Sequence, residues 1–166
     1  KDMAVSLGGS ARASIWFDQA GPKLPVVYAA QVNAVMSDAA ASDDSDLRTI
    51  VHCGTPLVAT ALAAAEHHGG TGEEVLAAIV IGYEASGRII DAMTGFRERG
   101  FHGSQAAIFS ATVAAARLLH LDAEQTTHAI ALTATSSSGL AKAANTSVAR
   151  EYHAGMATMA GIQAVR

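Results

Sequence analysis

From Val26 to the end, the chain carries marks of helix starts and helix stops, and no segment alternates polar and apolar residues between turn signals. Thr71-Gly72-Glu73-Glu74 has the spacing of a capping box, in which two side chains satisfy each other's unpaired backbone amides. Asp122-Ala123-Glu124-Gln125 repeats that logic. Thr55-Pro56 reads as an N-cap followed by a first-turn proline, and the helix it opens runs through Leu57, Ala61, Leu62 and Ala65 to the stop at Gly69-Gly70. A chain punctuated in this way is expected to be all-α.

The remaining segments follow from the same signals. Residues 1–25, with Gly8, Gly9, Gly21, Pro22 and Pro25, predict mostly loop, with a short helical turn near Ala11 to Phe17. Helices are expected from Val26 to about Met36, from Thr71 along a stripe of Leu76, Ile79, Val80, Tyr83 and Ile90, and from a Ser104 cap to about His120. Two more run from Asp122 to the serines at Ser136-Ser137-Ser138, and from near Glu151 onward. The acidic, Ser-rich stretch Ser37 to Asp46 and the Gly-punctuated stretch Gly95 to Gly103 read as loops. Residues 1–166 form one all-α domain in this reading, with 26–166 its helical region.

Composition removes several function classes. There are 11 Lys plus Arg against 15 Asp plus Glu, and no basic run, so the electrostatic footprint of a nucleic-acid surface is missing. Half of the residues are hydrophobic, but the total rests on alanine, and no run of about 20 strongly apolar residues exists to span a bilayer. The single cysteine, Cys53, has no internal disulfide partner and is too few for an iron–sulfur cluster, so a reducing, cytoplasmic setting is expected. The chain begins at Lys1 and ends at Arg166 within a helical pattern, which reads as a piece truncated at both ends. So much alanine and glycine with so few aromatics calls for a partner chain or a further domain to complete the core.

Phosphate-binding glycine loops, the nucleophile elbow and the His-Glu-x-x-His zinc helix are all absent. The seven histidines are more informative. His67-His68, His120 and His128 lie at helix ends or on helix surfaces, where imidazole suits the negative end of the dipole. His52, His102 and His153 each stand beside glycine at a loop or helix edge, where a rigid scaffold places chemistry. Cys53 adjoins His52, but neighbours in sequence seldom aim at each other, so a reactive thiol is not expected.

Taken in order, several motifs resemble the large helical domain of the MmgE/PrpD family. They are Asn33, Ser42-Asp43-Asp44, His52-Cys53-Gly54-Thr55-Pro56, Gly82-Tyr83-Glu84, Gly100-Phe101-His102, Ala114 to Leu119, and Tyr152-His153-Ala154-Gly155. The family includes 2-methylcitrate dehydratase and cis-aconitate decarboxylase. The resemblance covers about Val26 to Arg166 and implies a multi-helix domain, a homodimer formed through it, and a site shared with a smaller α+β domain that this chain lacks.

Residue by residue, the resemblance lays the family's Asp-x-Asp-Asp on Ala41-Ser42-Asp43-Asp44, its His turn on His52-Cys53-Gly54 and its Phe-His on Phe101-His102. The family's active-site lysine falls on Arg150, three residues before His153. The first acidic position is Ala41, so Asp38 or Asp43 would have to replace that carboxylate. Arg150 keeps the charge but supplies a bidentate fork that suits a carboxylate and does not act as a base.

These residues imply a metal-independent lyase, a dehydratase or decarboxylase without a cofactor, acting on a small di- or tricarboxylate. His52 and His102 would serve as acid and base, their ordinary pKa of about 6.5 allowing either state near neutrality. Asp43 or Asp44 would orient a histidine, while Arg150, with His153 and Asp38, would bind substrate. An epimerase of a small imino dicarboxylate, such as iminodisuccinate epimerase in the same family, needs only two opposed acid–base groups and is the alternative. A third possibility is a helical dimerisation fragment with half a site. No metal, nucleic-acid or membrane partner is expected.

Overall fold

Pro25 has a fixed φ of -54° and no amide hydrogen, and the first helix begins directly after it. In the computed structural model, which describes residues 10–18 and 20–166, seven helices follow in order. They are α1 (Val26–Ala39), α2 (Gly54–His68), α3 (Gly72–Ala92), α4 (Ser104–Leu118), α5 (Ala123–Ser136), α6 (Ala141–Thr146) and α7 (Ala149–Ala164). The fold is all-α. Among the described residues the only β-type pairings are two isolated bridges, Ala13 with Leu24 and Phe101 with Leu140.

Helix α4 is central. Thirteen of its fifteen residues are buried, as expected for a helix with neighbours on all sides, and α2, α3, α5 and α7 pack around it. Its inner face is largely alanine, so neighbouring backbones come close: a Cβ on Gly161 of α7 would lie 2.9 Å from the Ala111 Cβ and 3.0 Å from the Thr112 amide nitrogen. The polar groups drawn into this contact are satisfied within it. Thr112 bonds the Ile108 carbonyl at 3.0 Å and the Thr133 hydroxyl at 2.7 Å.

Both capping boxes form. The Glu74 amide donates to Thr71 Oγ1 at 3.2 Å and the Thr71 amide to the Glu74 carboxylate at 2.8 Å, with the Asp122–Gln125 pair doing the same. Gly69 ends α2 in the left-handed region, φ 90°.

Six local expectations are corrected. The turn near Ala11 to Phe17 is not helical: Ala13 and Leu24 exchange backbone bonds, and buried Asn33 holds the loop by accepting from the Trp16 amide and donating to the Ser14 carbonyl, both at 2.9 Å. Residues 1–9 and Gln19 of that expected loop lie outside the described residues. Helix α1 runs past Met36 to Ala39, because nothing before Ala41, at φ 51°, breaks it.

Thr55 and Ser104 do not cap their helices. Helix α2 starts two residues earlier, at Gly54 rather than Pro56, its Gly54 amide taken by the Asp44 carboxylate at 2.9 Å, and at α4 the Ser104 amide is taken by His102. On α3 the buried stripe is Val75, Ala78, Gly82, Ser86, Gly87 and Ile90, while Leu76 and Val80 remain about two-thirds exposed. Small residues permit the closer approach to alanine-rich α4. The short α6 gave no sequence signal, and the last helix starts at Ala149 rather than Glu151.

Candidate active site

The connection from α1 to α2 is pinned by its own polar groups. The Asp46 amide donates to the Val51 carbonyl at 3.1 Å, and the Ile50 amide to the Asp46 carbonyl at 2.7 Å. Asp44 anchors its far end. Its carboxylate accepts from the Gly54 amide and from the Tyr83 hydroxyl. Gly54 is required there, since a Cβ would lie 2.2 Å from Asp44 Oδ1 and 2.5 Å from the Tyr83 oxygen.

This anchor orients His52. Its Nδ1 lies 2.6 Å from the Asp44 backbone carbonyl, an atom that only accepts, so the neutral ring carries its proton on Nδ1. Nε2 is then the basic nitrogen. Asp43 Oδ2 lies 3.3 Å from the same Nδ1 but has no hydrogen bond, because that proton is already engaged; Asp43 acts on His52 as a nearby negative charge.

His102 is held in the opposite sense. The backbone N–H of Ser104 donates to His102 Nδ1 at 3.3 Å, and the Ser104 hydroxyl lies 3.2 Å from the same nitrogen. In the neutral ring the proton therefore sits on Nε2. Burial, reinforced by the nearby His153, Arg97, Arg150 and His52, pushes the His102 pKa down to about 4. The imidazole is neutral at physiological pH, in contrast to the expectation that it would titrate there. His153, whose pKa is also lowered by burial, stands against it with ring centroids 5.1 Å apart.

Arg150 opens α7, and its Nε lies 3.9 Å from Asp38 Oδ2 in the last turn of α1, an ion pair without a hydrogen bond. Burial raises the Asp38 pKa, with Arg150 acting against it and Asp43 adding to it. Asp38, His52, His102 and Arg150 all line one cavity of about 170 Å³, the space of about six waters at about 30 Å³ each. Asp43 and Asp44 sit behind His52, and His153 behind His102, outside the lining. The first turns of α2, α4 and α7 contribute Pro56, Ser104 and Arg150 to the wall, so three positive helix ends gather there.

A family model for the MmgE/PrpD N-terminal domain matches residues 1–166. The chain belongs to the MmgE/PrpD family. No curated protein matches it. The match takes in residues 1–25, which carried none of the motifs of the resemblance.

In this MmgE/PrpD domain the cavity also exposes residues that sequence reasoning did not single out. Arg97, from the Gly95–Gly103 loop, lines it, as do Ile50 and Ser104. The only signal for Arg97 was a basic residue in a Gly-bounded loop two positions from a second one. Cys53 is buried behind His52, accepts from the Ser86 hydroxyl at 3.5 Å, and has its thiol pushed up to about 11 by burial, which keeps it protonated. Among the described residues no three His, Cys, Asp or Glu gather as metal ligands, and no helix is long and apolar enough to cross a membrane.

Proposed function

We propose that this domain carries the acid–base residues of a metal-independent lyase, a dehydratase or decarboxylase, acting on a small di- or tricarboxylate by proton transfer next to a carboxylate. The observation that supports it is the pairing of two imidazoles held as opposite tautomers on a cavity with two arginines.

His52 is the base. Its Nε2 lone pair takes the C–H proton next to the substrate carboxylate, and Asp43 and the Asp44 carbonyl stabilise the imidazolium that forms. Negative charge then builds on the carboxylate, where the neutral His102 Nε2–H donates a hydrogen bond and Arg150 supplies cationic charge. A neutral imidazole in this part needs no titration during the cycle. When the C–O bond breaks, the hydroxide leaves with the proton held by His52, so water departs and His52 returns to its starting state. Decarboxylation uses the same groups with the proton running the other way: the C–C bond to the carboxylate breaks, carbon dioxide leaves, and the electron pair left on carbon takes a proton from protonated His52, which water replaces.

The epimerase alternative needs a second group able to take or give a proton at carbon. His102 at a pKa of about 4 is already neutral, and giving up its remaining proton would create an imidazolate, so the site favours one base over two. Proton NMR in heavy water with a panel of hydroxy-, imino- and unsaturated di- and tricarboxylates tests this. New alkene signals or released carbon dioxide support the lyase. Deuterium exchange next to the carboxylate in recovered substrate, with inversion and no alkene, supports the epimerase instead.

A further inference from the structure

Arg97 has no part in the acid–base scheme, yet it lines the cavity from the same loop that carries His102. Its Nη2 donates to two backbone carbonyls of the α1–α2 connection, those of Thr49, at 3.1 Å, and Ile50. Its guanidinium carbon stands 5.2 Å from the centre of the Phe96 ring. These contacts fix the group in place before any ligand arrives. They engage one nitrogen and leave the Nε and Nη1 donors of the fork.

The charge of this group is unanswered. Arg150 is paired with Asp38, whereas no salt bridge reaches Arg97 among the described residues. Ile50 adds a second observation. It is β-branched, lines the same cavity, and adopts φ 52°, a strained conformation that persists only where surrounding contacts over-determine it. The carbonyl that Arg97 grips belongs to this residue. The strained turn and the arginine thus hold each other at the cavity wall, an arrangement that fixes a charged fork more firmly than solvent exposure alone would.

We infer that Arg97 reads a second carboxylate of the ligand, separate from the one met by Arg150, and so makes the site selective for dicarboxylates over monocarboxylates. This rests on the reading of the cavity as a carboxylate site. Preorganisation is the physical reason: anchoring the fork in advance removes most of the ordering entropy that a mobile surface arginine loses on binding.

The test uses succinate and butyrate, four-carbon acids that differ by one carboxylate, titrated against the unmodified protein, Arg97→Gln and Arg97→Lys. The imidazole Cε1 proton signals in NMR report binding. Succinate is expected to bind the unmodified protein about tenfold tighter than butyrate or more, the worth of one charge-assisted hydrogen bond. Arg97→Gln should remove that preference while leaving butyrate binding unchanged. Arg97→Lys, which retains the charge without the fork, should show a reduced preference. Persistence of the full preference in Arg97→Gln overturns the role of Arg97 and leaves the carboxylate site standing. Equal loss of both acids in both variants also overturns it, since that marks a collapsed loop. If neither acid moves the His52 or His102 signals in the unmodified protein, the carboxylate reading beneath the inference falls with it.

Discussion

The rings of His102 and His153 lie 5.1 Å apart with their planes tilted by 43°, and burial holds the pKa of both below the ordinary value. Protonating either disfavours protonating the other, so this corner of the cavity resists charge as pH falls. Folded His102 takes its proton only near pH 4, whereas the unfolded residue does so near pH 6.5. Between those values the unfolded chain binds more protons, so stability is lost as pH falls through that window, by at most about 1.4 kcal/mol per pH unit for one group. Asp38, with its pKa raised, works in the opposite direction at lower pH. Urea titrations across the window should show this slope, and His102→Gln should flatten it.

His52→Gln keeps the size of the side chain and removes the proposed base. It is expected to lower kcat by about 10²–10⁴-fold, the usual contribution of a positioned general base. Asp43→Asn, which leaves the ring orientation to the Asp44 carbonyl, should have a smaller effect on kcat. Steady-state kinetics on the two variants separates base from charge partner, and equal losses would contradict the assignment.

Gly54→Ala places a methyl group on the Asp44 carboxylate and the Tyr83 hydroxyl. The Asp44 anchor must move, taking the α2 amide and the Asp44 carbonyl that orients His52 with it. A destabilisation of about 1–3 kcal/mol is expected from the overpacking, together with loss of activity. Thermal melting, in which about 1 kcal/mol corresponds to about 2–4 °C for a chain of this size, reads the first effect.

Ala41 sits at φ 51°, where the Cβ of an L-residue meets backbone. Ala41→Gly and Ala41→Asn should both raise stability, by about 0.5–1 kcal/mol, through relief of that strain. A drop in the melting temperature for both would show that the methyl group makes a contact worth more than the strain.

Cys53 is 2% exposed and its thiol stays protonated well above neutral pH. Alkylation by a thiol reagent at neutral pH should therefore follow the rate of local opening rather than thiolate chemistry, and should accelerate in mild urea. Rapid stoichiometric modification of the native protein would contradict the burial described here.

Helix number and type were legible wherever the ends carried side-chain chemistry. Thr71–Glu74 and Asp122–Gln125 form their boxes because those bonds close within four residues, whatever the rest of the chain does. Thr55 and Ser104 failed as caps for the converse reason: Asp44 and His102 reach the same helix starts from outside the expected caps and satisfy the amides there. On α3, apolar residues occupy two faces, and only the close approach of Leu57 on α2 and the Ser110 backbone on α4 decides that Gly82 rather than Val80 turns inward.

The sequence by itself determined an all-α chain, most of its helix boundaries, and the residue types of the candidate site, because these depend on local backbone bonding and on the chemistry each side chain carries. Only the tertiary structure decided that Asp38, His52, His102 and Arg150 share one cavity with Arg97, and which ring nitrogen of each histidine holds the proton. Those facts depend on hydrogen-bond partners and burial: the Asp44 carbonyl directs the His52 proton to Nδ1, the Ser104 amide directs that of His102 to Nε2, and partial burial of His102, with His153, Arg97 and Arg150 nearby, disfavours its charged form.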